Sequence, residues 1–291
     1  MRPAASLDFL QVDRQVERFL QQARLEADPR AWQAEFWHRF MHGPFPAAYV
    51  AEGATVLIGG TPGHRIVEFH AGDGWERALE LLAADDRVQA ISIPSWRIPE
   101  LPDSPPAPGF RRVTRLEHRF DLRFAPPTIG PPPPGYEVEP YDPARRQEVA
   151  ALLSAVNQGL DGLFLTYPEL PAQSTLAVVL ERLEAGAIGE FLPGVSFLAS
   201  RRGQLVGLTL GVRQSPAETL LFEIAVRLRH RGSGLAPYLI ARLEHELARQ
   251  GASWILFATS DTHRGANALF DPAHARTAVA GSVWIWLRGS T

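Results

Sequence analysis

A run of prolines divides the chain. Residues 125–135 read Ala-Pro-Pro-Thr-Ile-Gly-Pro-Pro-Pro-Pro-Gly. Because proline has no backbone N–H to donate, such a run forms neither helix nor sheet and favours a semi-rigid polyproline II spacer. A chain of 291 residues is also long enough to bury two cores. We therefore predict a domain at 1–124, a linker at 125–135 and a second domain at 136–291.

Composition narrows the possible functions. No stretch of about 18 apolar residues occurs and the N-terminus is polar, so we predict a cytoplasmic protein that does not span a membrane. The net charge of -3 argues against a nucleic-acid-binding face. The absence of cysteine excludes disulfides, thiolate metal sites and a cysteine nucleophile. Every basic residue is arginine, which stays protonated, so a general base must be His, Asp, Glu, Tyr or water.

The second half contains an apolar strand, a glycine loop and an amphipathic helix in series. Residues 220–226 are the predicted strand, and Arg-Gly-Ser-Gly-Leu-Ala follows at 231–236. Leucine then recurs at every fourth position of a predicted helix over 234–249, with Gly251 as its C-terminal signal. Glycines let backbone N–H groups approach an anion, and a helix N-terminus adds unpaired donors and the positive end of a dipole. The pattern favours binding of a diphosphate.

The predicted elements around this loop are short. They comprise strands at 113–122, 136–140, 196–199, 204–212, 254–259 and 283–287, and a helix that Asp142-Pro143 opens.

Four residues of the loop region match a known signature. The sequence resembles the GCN5-related N-acetyltransferase (GNAT) superfamily, in which Arg/Gln-x-x-Gly-x-Gly/Ala follows a strand-ending valine by five residues. Val226, Arg231, Gly234 and Ala236 have this spacing. The resemblance extends over residues 136–291 and implies an α/β (α+β) fold. We expect two tandem GNAT-like domains, each a mixed, mostly antiparallel sheet flanked by helices.

The resemblance also implies a co-substrate, acetyl-CoA, and no metal. The backbone of Ile224, Ala225 and Val226 is expected to pair with the pantetheine arm, and His263 replaces an asparagine that usually contacts the cofactor. The residues expected to hold the pyrophosphate are Arg231, Gly232, Ser233, Gly234, Leu235 and Ala236. The implied reaction transfers an acetyl group to a primary amine of a small molecule or peptide, in a ternary complex, by a monomer or homodimer.

The catalytic positions leave two interpretations open. Glu223, on the strand that enters the loop, is the candidate general base, and a paired structural carboxylate is the alternative. Phe270 stands where the family usually has the tyrosine that protonates the leaving thiolate, although Tyr167 is a possible substitute. The chain is therefore predicted to be an acetyltransferase, or alternatively a non-catalytic acyl-CoA-binding pseudoenzyme or assembly protein.

The first half repeats the element order of the second. A strand at 65–69, a glycine turn at 71–74, a helix at 75–84 and a strand at 88–93 follow two predicted helices at 9–27 and 30–41. Asp73 in the turn would repel a phosphate, so we predict a degenerate copy that does not bind CoA. The tandem layout is similar to that of the mycothiol synthases. His38 and His42, four residues apart on one helix, are interpreted as structural.

Overall fold

The computed structural model describes residues 56–60, 66–71, 90–94, 105, 108–125, 128–157, 173–187, 189–269 and 274–287. The chain divides into two compact units. The first comprises residues 1–114, 162–169 and 281–291, and the second comprises residues 115–161 and 170–280.

The first unit contains three short strands of the N-terminal half. These are β1 (Val56–Gly60), β2 (Ile66–Ala71) and β3 (Ala90–Pro94). β1 and β2 are antiparallel, β2 and β3 are parallel, and residues 283–287 pair antiparallel with β3. The strands predicted at 65–69 and 88–93 are confirmed within two residues. The predicted helices at 9–27, 30–41 and 75–84 lie outside the described residues, as do Asp73, His38 and His42.

Six strands of the second unit agree with predicted strands, whereas the strand at 190–191 and residues 275–282 of the last strand were not predicted. The strands are β4 (Arg111–Asp121), β5 (Glu137–Pro140), β6 (Glu190–Phe191), β7 (Phe197–Arg201), β8 (Gln204–Ser215), β9 (Glu218–Val226), β10 (Trp254–Ser260) and β11 (Ala275–Leu287). Strands β4 and β11 have residues in both units. The helices are α1 (Arg146–Asn157), α2 (Gln173–Glu184), α3 (Leu235–Arg249) and the single turn α4 (Arg264–Asn267). Short 3-10 turns lie at 122–124, 143–145, 193–195 and 228–230.

The sheet of the second unit is mixed. Its order is β4-β10-β9-β8-β7-β5, and β6 pairs with β8. β9 and β10 are parallel, and the other described neighbours along this order are antiparallel. A mixed, mostly antiparallel sheet with helices is therefore confirmed, whereas two tandem domains stay a prediction.

Strand β4 pairs with β10 along seven consecutive residues, from Asp121 opposite Trp254 to Arg115 opposite Ser260. The predicted boundaries assign this strand to the domain at 1–124. The compact units divide the chain at different residues because strand pairing joins segments far apart in sequence, which a local composition change does not reveal. The division at 125–135 stays a prediction.

The proline run ends in a type II β-turn. The Tyr136 N–H donates to the Pro133 carbonyl at 3.1 Å, and Gly135 adopts φ 81°. Proline at the second position and glycine at the third are what this turn requires. The C-terminal end of the predicted linker is therefore a defined turn.

Helix α3 packs closely on one face of the sheet. A Cβ added at Gly207 would lie 3.2 Å from Leu235 Cδ2, and one at Gly211 would lie 3.4 Å from Leu243 Cδ1. Residues 207 and 211 of β8 therefore face α3, and glycine at these positions permits the close approach. Helix α1 packs on the other face, against β8 and β9.

From the sequence alone, residues 244–246 in the middle of α3 are interpreted as a solvated face, which is wrong for Glu244. This side chain is 7% exposed, although Glu246 on the same turn forms an ion pair with Arg249. Glu244 follows Leu243 and lies one helical turn after Ile240, both buried, so it sits at the margin of the apolar stripe of α3. Its position relative to the sheet decides its burial.

Candidate functional site

Parallel strands β9 and β10 separate partway along their length. Their ladder runs from Glu218 opposite Trp254 to Leu220 opposite Leu256. Beyond that pair, β9 continues to Val226 and β10 to Ser260. Residues 221 and 223–226 pair with β8 on their other side. The two strands therefore open a gap whose β9 edge consists of backbone groups that are not in a ladder with β10.

A β-bulge lies at the start of this gap. Leu210 is opposite Glu223 and Gly211 is opposite Leu221, so Phe222 has no opposite residue on β8. A bulge of this kind bends and twists its strand and redirects the side chains that follow.

Glu223 lies on the sheet face away from α3. Directly opposite residues of an antiparallel pair share a face. Leu210, between the α3-facing positions 207 and 211, points to the α1 face, and Glu223 opposite it does the same.

Glu223 is half-buried, and burial raises the pKa of its carboxyl to about 7. A hydrogen bond from the Ile224 N–H acts in the opposite direction and lowers this pKa. That bond joins Ile224 N to Glu223 Oε1 at 3.0 Å. No ion pair to Glu223 is present among the described residues, so its environment is unlike that of a paired structural carboxylate.

Of the three residues expected to face the pantetheine arm, Ile224 already donates its N–H to Glu223. Ala225 and Val226 are buried strand residues opposite Leu208 and Gly207 of β8.

The loop between β9 and α3 has the geometry of an anion cradle. Gly232 and Gly234 adopt φ of 75° and 80°, in the left-handed region that glycine occupies without strain. Positive φ at alternate residues turns successive N–H groups toward one side, and α3 begins directly after Gly234. A Cβ at Gly232 would meet nothing within 4 Å. The loop therefore presents its donors to open space at a helix N-terminus. We call residues 231–236 the cradle.

The cradle side chains differ in burial. Arg231 is exposed, and its Nε donates to the Val226 carbonyl at 3.2 Å, which folds the side chain back toward the end of β9. Ser233 Oγ donates to the His230 carbonyl at 2.7 Å. Leu235 is buried in the core beneath α3, and Ala236 is half-buried beside it. The backbone of Leu235 and Ala236 is thus available to an anion, whereas the Leu235 side chain is a packing group.

His263 lies near the cradle. It is half-buried before the first turn of α4, and burial and the charge of Arg231 lower the pKa of its imidazole. The neutral ring is therefore the form present at pH 7. The cradle and His263 follow the C-terminal ends of β9 and β10, and Glu223 lies three residues before the end of β9. Phe270 and Tyr167 lie outside the described residues.

A hydrogen-bonded chain beside α4 was missed by the sequence analysis. The Thr259 hydroxyl donates to Asn267 Oδ1 at 2.5 Å, so His118 Nε2 is the donor to Thr259 Oγ1 at 2.7 Å. Asn267 Nδ2 donates to the Ser260 carbonyl at 2.9 Å. This series of hydrogen bonds connects α4 to the end of β10. No local pattern could have revealed it, because His118 and Thr259 are 141 positions apart.

The described residues contain no group of three His, Cys, Asp or Glu side chains arranged to hold a metal ion. In the same part of the chain, no helix combines the length and apolarity needed to cross a bilayer.

Comparison with known proteins identifies the class. Residues 167–272 match the model of the acetyltransferase (GNAT) family. The matched residues include strand β8, the cradle and helix α3. The match confirms the predicted resemblance to the GNAT superfamily over residues 167–272. No curated protein matches the sequence significantly.

Several solved structures are similar. A GCN5-related N-acetyltransferase from Sphaerobacter thermophilus is 17% identical with a TM-score of 0.49, covering 80% of this chain and 74% of that one. A tandem GNAT protein from the clavulanic acid biosynthesis pathway is 18% identical with a TM-score of 0.46, covering 83% and 82%. A GCN5-related N-acetyltransferase from Kribbella flavida is 14% identical with a TM-score of 0.45, covering 89% of this chain and 93% of that one. At these sequence identities and TM-scores, the similar structures do not identify a function. The similarity to the mycothiol synthases stays a prediction.

Proposed function

We propose that the protein is an N-acetyltransferase that transfers an acetyl group from acetyl-CoA to a primary amine. The observation that carries this proposal is the juxtaposition of the cradle with the gap between β9 and β10, beside a carboxyl whose pKa is about 7. A diphosphate fits the cradle donors, and an extended amide-containing arm fits the edge of β9 that faces the gap. Residues 231–236 would hold the diphosphate.

Glu223 would act as general base. A primary amine has a pKa near 10.4, so neutralising it at pH 7 costs about 4.6 kcal/mol. The Glu223 carboxylate takes a proton from the attacking ammonium, directly or through water. The amine nitrogen then forms a bond to the acetyl carbonyl carbon, and the bond from that carbon to sulfur breaks. A base with a pKa near the working pH is well suited to this transfer.

The leaving sulfur does not need a strong acid. A thiol with a pKa near 8.5 leaves as thiolate at a penalty of about 2 kcal/mol at pH 7. The Phe270 side chain in place of the usual tyrosine is therefore compatible with transfer. Neutral His263 would contact the co-substrate beside Arg231.

Other expectations belong to the same proposal. The acceptor is a small-molecule or peptide amine, the protein is cytoplasmic and a monomer or homodimer, and residues 1–124 are a degenerate domain without a CoA site. The second candidate function is non-catalytic binding of an acyl-CoA, which the Phe270 substitution favours.

The test is direct because the chain contains no cysteine. A thiol-reactive dye therefore reports only CoA released from acetyl-CoA. We expect calorimetry to detect CoA binding, and we expect at least one member of a primary-amine panel to release thiol. Binding without release for any amine would favour the non-catalytic protein, and no binding would overturn both functions.

A further inference from the structure

His230 is the buried anchor of an exposed loop. Between Leu228 and Gly234, it is 8% exposed while the other residues are all exposed. Its carbonyl accepts from Ser233 Oγ, and its N–H donates to the Arg227 carbonyl at 2.8 Å. The conformation of the cradle therefore depends on where His230 is held.

The hydrogen bonds of His230 assign its tautomer. Arg229 Nε donates to His230 Nε2 at 3.1 Å, and arginine cannot accept, so Nε2 carries no proton. The proton is on Nδ1, which lies 3.1 Å from Tyr136 Oη and donates to it. Burial and the charges of Arg229, Arg201 and Arg227 lower the pKa of His230, so the neutral ring persists at pH 7.

Tyr136 is itself rigidly placed. It ends the type II turn that begins at Pro133, and its ring is 7% exposed in a cluster with Val226 and Leu235. The rings of Tyr136 and His230 meet edge to face with centroids 5.8 Å apart. Pro133 also approaches the cradle, because its Cγ would lie 3.9 Å from a Cβ at Gly234.

We propose that Tyr136 is a positioning residue for the cradle: by holding His230, it fixes the backbone of residues 231–234 in the conformation that presents N–H groups to a diphosphate. The residue that follows the proline run thus supports the cradle through its hydrogen bond with His230. The inference rests on the proposed function, because it takes CoA as the ligand of the cradle.

The test compares two tyrosines that flank β5. Tyr136→Phe removes the acceptor for His230 Nδ1, whereas Tyr141→Phe removes a hydroxyl that donates to Glu184 of α2 at 2.5 Å. Both rings are buried and each change deletes one oxygen. Two probes, CoA and pantetheine, are titrated and followed by NMR. Pantetheine lacks the diphosphate.

We expect Tyr136→Phe to raise the Kd for CoA by about fivefold to tenfold and to leave the Kd for pantetheine unchanged within about twofold. Tyr141→Phe should leave both unchanged. The inference would be overturned by an unaltered Kd for CoA in Tyr136→Phe, or by equal weakening of CoA and pantetheine binding in that variant. Equal weakening of CoA binding by Tyr141→Phe would also overturn it.

A wild-type measurement covers the case in which Tyr136→Phe does not fold. Nitrogen-15 spectra of the His230 ring should show the Nδ1–H tautomer, and an Nε2–H tautomer would overturn the inference. Failure of the wild-type protein to bind CoA would instead overturn the proposed function, before any variant is compared.

Discussion

Leu220 and Leu256 form the last described pair of the parallel ladder between β9 and β10. Three residues later β9 carries Glu223, and the cradle follows the end of the same strand. Separation of two parallel strands at a defined residue creates an edge inside a sheet that lies outside the parallel ladder and that an extended ligand can occupy.

A carboxylate in the cradle should abolish CoA binding. Gly234→Asp places a negative charge among donors directed at phosphate and forces a side chain into φ 80°. We expect the Kd for CoA to rise at least about 100-fold, measured by calorimetry.

The matched control for this change is Gly203→Asp. Gly203 has φ 74° at the hairpin between β7 and β8, so it carries a similar backbone penalty away from the cradle. Equal loss of CoA affinity in the two variants would contradict the assignment of the cradle.

Removing the Glu223 carboxylate should lower the rate of acetyl transfer and leave the affinity for CoA nearly unchanged. In the wild-type protein, kcat/KM should rise with pH through about 7, because the carboxylate is the active form and burial raises its pKa to that value. Glu223→Gln should reduce kcat by about 100-fold, remove this rise and change the Kd for CoA little.

Glu218→Gln on the same strand is the control, because its carboxylate forms a surface ion pair with Arg119. A Glu223→Gln variant that acetylates an identified amine at the wild-type rate would show that Glu223 is structural.

Neutralising Glu244 should stabilise the protein above neutral pH. Burial raises the pKa of its carboxyl from 4.5 to about 7, so the folded state loses stability as pH rises from about 4.5 to 7 and the loss is complete above 7. At about 1.4 kcal/mol per pKa unit, Glu244→Gln should raise the free energy of unfolding by up to about 3 kcal/mol at pH 8.

Urea unfolding at pH 5 and pH 8 measures this effect, and the gain should be much smaller at pH 5. Glu246→Gln, which removes a surface ion pair on the same helix, should show no such pH dependence. An equal gain for Glu244→Gln at both pH values would contradict the buried-carboxyl explanation.

One CoA should bind each full-length chain. The predicted turn at 71–74 carries Asp73, which would repel a diphosphate, and no arginine precedes either of its glycines by three residues. Calorimetry should give a stoichiometry of one, and Gly234→Asp should remove that single site. Two molecules per chain would contradict the prediction.

Much of the cradle was predictable because its causes are local. Val226, Arg231 and Gly234 lie within nine residues, and a strand, a glycine loop and a helix follow from hydrophobic periodicity and the φ that glycine allows. The opening of the β9–β10 gap was not predictable from those residues. It depends on where two strands 36 positions apart stop pairing, as at Leu220 and Leu256.

The sequence by itself determined most of the strands, helix α3, the cradle and the similarity of the cradle region to a family of acyltransferases, since each depends on neighbouring residues. Only the tertiary structure decided that Glu223 is half-buried, that Glu244 is buried and that Tyr136 reaches His230 across 94 positions. Burial and long-range hydrogen bonds are set by which surfaces pack together. The pKa of a carboxyl or the tautomer of a histidine therefore becomes defined only when the chain has folded.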